Sequence, residues 1–215
     1  MSLLWSNAGV FLGGLAVSIE ITVTTFALAF ALGLMLAVWR IGPILPLRAA
    51  AAVYVAVVRS VPLLAVLILF VFGLPYVGLT YSLLWTSVTA MGLYWAASFC
   101  EAIRSGIRTV PLGNIEAARS LGMTSGQVIR LVVLPQALRA MVQPLANLLI
   151  AVALNSSLAA AVGVTTELTG QTELLDQKYA QPLLIFGGAA ACYVALTFVI
   201  GRAAALTERR VAVHR

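Results

Sequence analysis

A chain of 215 residues that is 62% hydrophobic and only 9% charged cannot cover a water-facing surface, since soluble domains carry roughly 25% charged residues. Lipid is therefore the expected solvent, and the unit of organisation is the spanning helix of about 20 apolar residues. The net charge of +6 is not a nucleic-acid footprint, because the basic residues are not gathered with exposed aromatics on one surface.

Residues 1–10 have no basic stretch ahead of their apolar residues and are not read as a cleaved leader. Gly9 and Gly13 make a small-xxx-small pair at the edge of the first apolar run. Long apolar runs predict five spans at 16–38, 61–78, 82–100, 144–164 and 182–202. Glu20 lies near the outer end of the first and reads as an interfacial carboxylate. Pro62 and Pro144 are expected in the first turns of the second and fourth, where a missing N–H does no harm. The apolar stretch 49–58 leads into the second span through Arg59 and makes its start the least defined. Cys100 and Cys192 sit far apart in apolar stretches, which is neither a disulfide framework nor a metal-ligand spacing.

At the end of the third span, Glu101, Arg104 and Arg108 recur at spacings of three and four and share one helix face. They read either as a snorkelling, ion-paired helix end or as a latch to the segment that follows. That segment, 111–130, is long and structured. Pro111-Leu-Gly-Asn114 reads as a turn with Asn114 as N-cap. A short helix over 115–121 follows, with Glu116 near its positive end and Gly122 as its C′ residue. Glu116 and Arg119 could pair on its surface. Thr124 to Gln127 has the spacing of a capping box opening a second helix, and Pro135 kinks or ends that helix. A short helix between two loops, with no hydrophobic neighbour of its own in the sequence, suits insertion into a partner's groove. In the fourth span, Asn155, Ser156 and Ser157 fall near the midpoint. Polar groups there serve as interhelical hydrogen-bond partners or face a cavity. His214 lies in a terminal basic tail.

The charges order these spans. Twelve arginines and one lysine are present. With five spans all the arginines fall on one side, after spans one, three and five, and only Lys178 falls on the other. Positive charge marks the cytoplasm, so the N-terminus is expected outside and the C-terminus inside. The loop 165–181, with Glu167, Glu173 and Asp176, then faces outward. The fold class is all-α integral membrane, one transmembrane domain over 1–215. Five helices are expected, with a short cytoplasmic helix suited to a partner's groove, a coupling helix, between the third and fourth.

EAARSLG at 116–122 followed by VLPQALR at 133–139 resembles the EAA signature of permeases of ATP-binding-cassette importers. EAIRSGI at 101–107 resembles the family's ExxRGGI, with Ser105 in place of the first glycine. YVAVVR at 54–59 with PLL at 62–64 resembles its second-span start, and FGLP at 72–75 the exit. PLAN at 144–147 leading to NSSL at 155–158 resembles its fourth span, where many members carry a lysine at the position of Leu154. The likeness runs from about Gly14 to the end. It is to the histidine, glutamine and glutamate uptake permeases of type I importers, and most of all to the glutamate branch.

The resemblance implies a permease subunit for polar amino acids, glutamate among them, in a bacterial inner membrane. It implies that Glu116, Ala117, Ala118 and Gly122 dock on the ATPase and that Asn155, Ser156 and Ser157 face the solute path. It implies as partners two ATPase copies that bind ATP and Mg, a second permease subunit and an extracytoplasmic solute-binding protein. The residues themselves add that no GxxxxGK phosphate loop is present. No catalytic constellation is present either, so the chain is not expected to be an enzyme or to hold a cofactor or metal. Five spans without repeat symmetry are few for enclosing a pathway and favour a pair of subunits. The alternative reading is a small gradient-driven carrier or channel. It would want ionisable groups at the midplane, where this sequence places Asn and Ser.

Overall fold

Small residues organise the core. The first long helix, α2 (Ala8–Ile41), buries Gly14, Ser18, Thr25, Ala29 and Gly33 along one face, a repeat of about one helical turn. At Ala29 and Gly33 this stripe lets α5 (Leu83–Arg108) approach closely, and the two form the principal helix pair, while Gly14 and Ser18 face the residues around Leu168. A Cβ at Gly33 would lie 2.5 Å from Phe99 Cβ and 3.0 Å from the Ala96 carbonyl, so only glycine fits. Gly9 and Gly13, the pair singled out in the sequence, meet nothing within 4 Å. The packing glycine at that end is Gly14.

The computed structural model describes residues 2–211, and His214 and Arg215 lie outside them. The described residues contain helices and turns but no strand. A short α1 (Ser2–Ser6) precedes α2. After α5 come α6 (Leu112–Ser120), α7 (Ser125–Gln127), α8 (Leu134–Asn155), α9 (Leu168–Tyr179) and α10 (Pro182–Val211). Among the described residues, four helical stretches are long and apolar enough to cross a membrane: Ala8–Ile41, Leu83–Arg108, Ser125–Val162 and Pro182–Glu208. A fifth is present if α3 (Leu45–Arg59) and the turns over Leu63–Val77 count as one span bent by 102°.

The second span therefore departs from the expected 61–78. Pro62 has no N–H and forces Val61 out of the helical region, so the chain turns there, with Pro62 capping α4 (Leu63–Ile68) at φ −63° and ψ 136°. The apolar stretch before Arg59 is itself helical. It buries Ala51 and Val55, and Tyr54 donates to the Leu93 carbonyl of α5 at 2.6 Å. Pro144 departs too: it lies inside α8 rather than in a first turn. Ala137 and Met141 bury one face of α8 ahead of it and carry the helix past Arg139. Both π-helical turns, Leu69–Gly73 and Val128–Val133, come just before a proline, Pro75 and Pro135. A proline withholds the N–H that the carbonyl four residues back needs, and a wider turn is one way to re-pair the ladder.

Two of the core clusters lie at opposite ends of α2. One joins Phe11 with Leu168, Leu175, Ile185 and Ala189. The other joins Leu36 and Ala37 with Val55, Ala97, Cys100, Val110, Ala137 and Met141. Cys100 and Cys192 are both free thiols. The outer faces of the long helices are apolar: Val23, Val38, Val194, Phe198 and Val199 are all exposed, as lipid-facing surfaces require.

Candidate functional site

The segment between α5 and α8 holds together locally. Pro111 precedes α6 with φ −61° and ψ 136°, and the helix begins at Leu112 with no side-chain cap. Asn114 is thus inside α6 rather than its N-cap. Its amide donates to Gln136 Oε1 at 3.0 Å and ties α6 to the start of α8. The helix begins before Asn114 because Pro111 already supplies the extended backbone that starts it. Glu116 is consequently in the second turn.

Gly122 closes the helix in the left-handed region at φ +80°, with the Met123 N–H bonded to the Ala118 carbonyl. This six-to-one bond is that of a Schellman cap. Thr124 and Gln127 form the expected capping box. Contrary to the sequence reading, α6 has an intrachain neighbour. Ile115 packs against the core cluster around Val110 and Ala137, and Ala118 is 5% exposed. Glu116, Ala117, Arg119 and Gly122 are exposed. So are Leu112 at 74% and Leu121 at 83%. Glu116 and Arg119 make no ion pair with each other among the described residues.

Behind α6 lies a charged cluster. Glu101 accepts from Arg104 Nη2 at 2.8 Å and from Arg40 of α2, with all three side chains mostly buried. Arg108, on the face expected to continue the latch, is exposed and joins neither bond. The partner that sequence spacing missed is Arg40, which comes from another helix. Arg40, Arg59, Ser60 and Glu101 share a cavity of about 350 Å³ with α3. One carboxylate between two guanidiniums leaves a net positive site. Removing Glu101 would strand two partly buried cations, which is worse than losing a surface pair.

The fourth span changes character where the polar triplet sits. α8 ends at Asn155, and Ser156–Val162 continues as a 3-10 helix to Gly163 at φ +100°. Asn155 donates one amide hydrogen to the Ala151 carbonyl at 2.8 Å and is half-buried, leaving its other hydrogen and its oxygen available. Ser157, also half-buried, donates to the Leu154 carbonyl at 2.7 Å. Ser156 is fully buried, with its hydroxyl on the Ala153 carbonyl at 2.8 Å. Leu154 is 47% exposed beside them, and Glu20 is exposed on α2.

Sequence reasoning also passed over Glu167. It is fully buried, and its carboxylate accepts from Ser18 Oγ of α2 at 2.8 Å, from the Thr169 N–H of α9 at 2.7 Å, and from the Tyr193 hydroxyl of α10. The sequence reading takes 165–181 as a loop, whereas Leu168–Tyr179 is helical, and Glu167 is the N-cap of that helix.

Comparison with known proteins agrees with this architecture. The family described as "Binding-protein-dependent transport system inner membrane component" matches residues 29–213. The "Probable glutamine ABC transporter permease protein GlnM" of Bacillus subtilis is 32% identical over 210 residues, covering 98% of this chain and 97% of that protein. The "Glutamate transport system permease protein GluC" of Corynebacterium efficiens is 32% identical over 228 aligned positions, covering all of both. A crystal structure described as "an amino acid ABC transporter with histidines" superposes with a TM-score of 0.91 at 29% identity, covering 96% of each chain.

Proposed function

We propose, from the premise that the chain belongs to the family of binding-protein-dependent transport system inner membrane components, how this amino-acid permease subunit is coupled and what it carries. It is a transport component and not an enzyme; ATP is hydrolysed by a separate subunit. α6 is the element on which the ATPase docks. The observation that carries this is its surface. α6 is anchored on one side through Ile115, Ala118 and Asn114, while Leu112, Ala117 and Leu121 stand exposed outside the long apolar spans. Exposed leucines on a capped, braced helix need a partner that covers them.

The cargo is a polar amino acid. Glutamine and glutamate permeases match this chain at the same identity, so the narrower assignment to glutamate rests on the wording of the 101–107 and 116–122 motifs. The assembly has two ATPases, a second permease subunit and an extracytoplasmic receptor, in a bacterial inner membrane. ATP-driven closure brings the docking helices together and swaps the open side of a shared pathway. The N-terminus and α9 face outward and α6 faces the cytoplasm, in keeping with the side on which the arginines gather.

Two measurements test this. In vesicles, the chain with its ATPase, second permease and receptor is expected to accumulate labelled glutamate only when ATP is supplied inside, with unlabelled glutamine as competitor. The chain alone is expected to accumulate nothing. Accumulation by the chain alone on an ion gradient would establish a secondary carrier instead. For orientation, a cysteine at Glu173 of α9 is expected to react with an impermeant thiol reagent in intact cells. One at Ser125 is expected to react only after permeabilisation, and the reverse pattern would invert the topology.

A further inference from the structure

Glu167 is buried without a cation: among the described residues the ion pairs all involve Glu101. A carboxylate removed from water is costly unless hydrogen bonds satisfy it, and here the donors come from three helices. Oε2 takes the Thr169 N–H and so caps α9. Oε1 takes the Ser18 and Tyr193 hydroxyls. Tyr193 in turn lies 3.1 Å from Thr169 Oγ1, so the threonine hydroxyl can donate to it while it donates to the carboxylate. The Leu168 N–H reaches Ser18 Oγ at 3.3 Å. The backbones meet as closely as the side chains: a Cβ at Gly14 would sit 2.8 Å from Leu168 Cα.

An N-cap needs only one oxygen on a short arm, which is why Ser, Thr, Asp and Asn lead at that position. Glutamate has one more methylene than aspartate. In this geometry the extra reach places the second oxygen on α2 and α10 while the first still caps α9. The chain leading into Glu167 is the 3-10 stretch Ser156–Val162 and the turn at Gly163, which begins at Asn155. That stretch joins α8 at one end, packs Ala159 and Val162 into the core beside Ile21, Leu63 and Val88, and at its far end runs into Glu167.

We propose that Glu167 is a positioning residue for transport. It pins the start of α9 to Ser18 of α2 and Tyr193 of α10, and so fixes the far end of the segment that carries Asn155, Ser156 and Ser157. Movement of α2 and α10 relative to α8 then reaches that segment through the pin. The helix α9 itself is a cap. It buries Leu168, Thr172 and Leu175 on one face and exposes Glu173, Leu174, Gln177 and Lys178 on the other, so with the pin released its inner face alone would seat it. The transport role rests on the importer reading above, whereas the pin does not.

Glu167→Asp separates the pin from the cap, because aspartate caps well but is too short to reach Ser18 and Tyr193 as well. Spin labels at Leu12 of α2 and Gln177 of α9, both exposed, report their separation in the purified assembled transporter. The wild type is expected to give one narrow distance distribution, and Glu167→Asp a broadened one. In vesicles the same variant is expected to hydrolyse roughly ten-fold more ATP per solute carried, the scale set by losing a hydrogen bond to a charged group. A merely structural role would lower the amount of assembled transporter and leave that ratio unchanged. Should Glu167→Asp not assemble, Tyr193→Phe, which deletes one hydroxyl, decides by the same two readouts. A wild-type distance distribution and ratio in the variant would reduce Glu167 to a cap and overturn the pin. If the wild-type complex itself shows no ATP-driven uptake, the importer reading fails while the distance measurement still decides the pin.

Discussion

Replacing Ala117 by Trp, or Gly122 by Val, should abolish ATP-driven uptake while the chain still inserts and still pairs with its second permease. Ala117 is exposed on α6 between the partly buried Ile115 and the exposed Leu121, so a bulky ring there meets a docking partner before it meets this chain. Ala118 would give a different answer. It is nearly buried against the chain's own body, and a Trp there would lift α6 from its seat. Gly122 sits at φ +80° with open space around it, so the cost of Val is conformational and not steric. A β-branched residue in the left-handed region costs about 1–3 kcal/mol, enough to redirect the turn that joins α6 to the capping box. Pull-down of the ATPase with each variant, paired with uptake in vesicles, is the check. Normal ATPase binding with normal uptake in both variants would remove α6 from the docking interface.

The all-helical, multi-span character was legible because lipid leaves little freedom: long apolar runs can be read without knowing any contact. The ends of the spans were less legible, for reasons that differ by place. α8 runs ahead of Pro144 because Ala137 and Met141 find a core face that their sequence neighbourhood, with Gln136, Arg139 and Gln143, does not announce. The second span bends because Pro62 and the helix before it act together, and a hydrophobic window cannot see a bend. Local signals held up best where a backbone rule governs them, as with the left-handed Gly122 and the Thr124 box.

Partners contributed from afar were invisible. The sequence grouped Glu101 with Arg104 and Arg108 on one face, and of these only the i,i+3 pair Glu101–Arg104 forms. Arg40, 61 positions earlier in the chain, was not readable. The same blindness hid Glu167, whose hydroxyl partners lie 149 and 26 positions away. On composition alone it read as one of three acids in an outward loop. Exposure sorted what spacing could not: of the three consecutive residues Asn155, Ser156 and Ser157, only the first and last are open to a neighbour.

That sorting sharpens the test of the solute path. Asn155→Leu should reduce uptake by about ten- to a hundred-fold, the scale of a lost hydrogen bond to a charged group, while assembly with the ATPase and second permease persists. Leucine preserves helix propensity and removes the amide oxygen and hydrogen that the bond to Ala151 leaves available. Ser156→Ala is the internal control. Its hydroxyl is fully buried on the Ala153 carbonyl of its own turn, so deleting it removes a bond within that turn and nothing that faces a solute, and uptake should stay near that of the wild type. Uptake by each variant, normalised to the amount of assembled complex, separates the cases. A loss of assembly equal to the loss of uptake in Asn155→Leu would make Asn155 a packing residue between helices. A loss in Ser156→Ala as large as that in Asn155→Leu would mean that the 3-10 turn unwinds during transport and presents Ser156 as well.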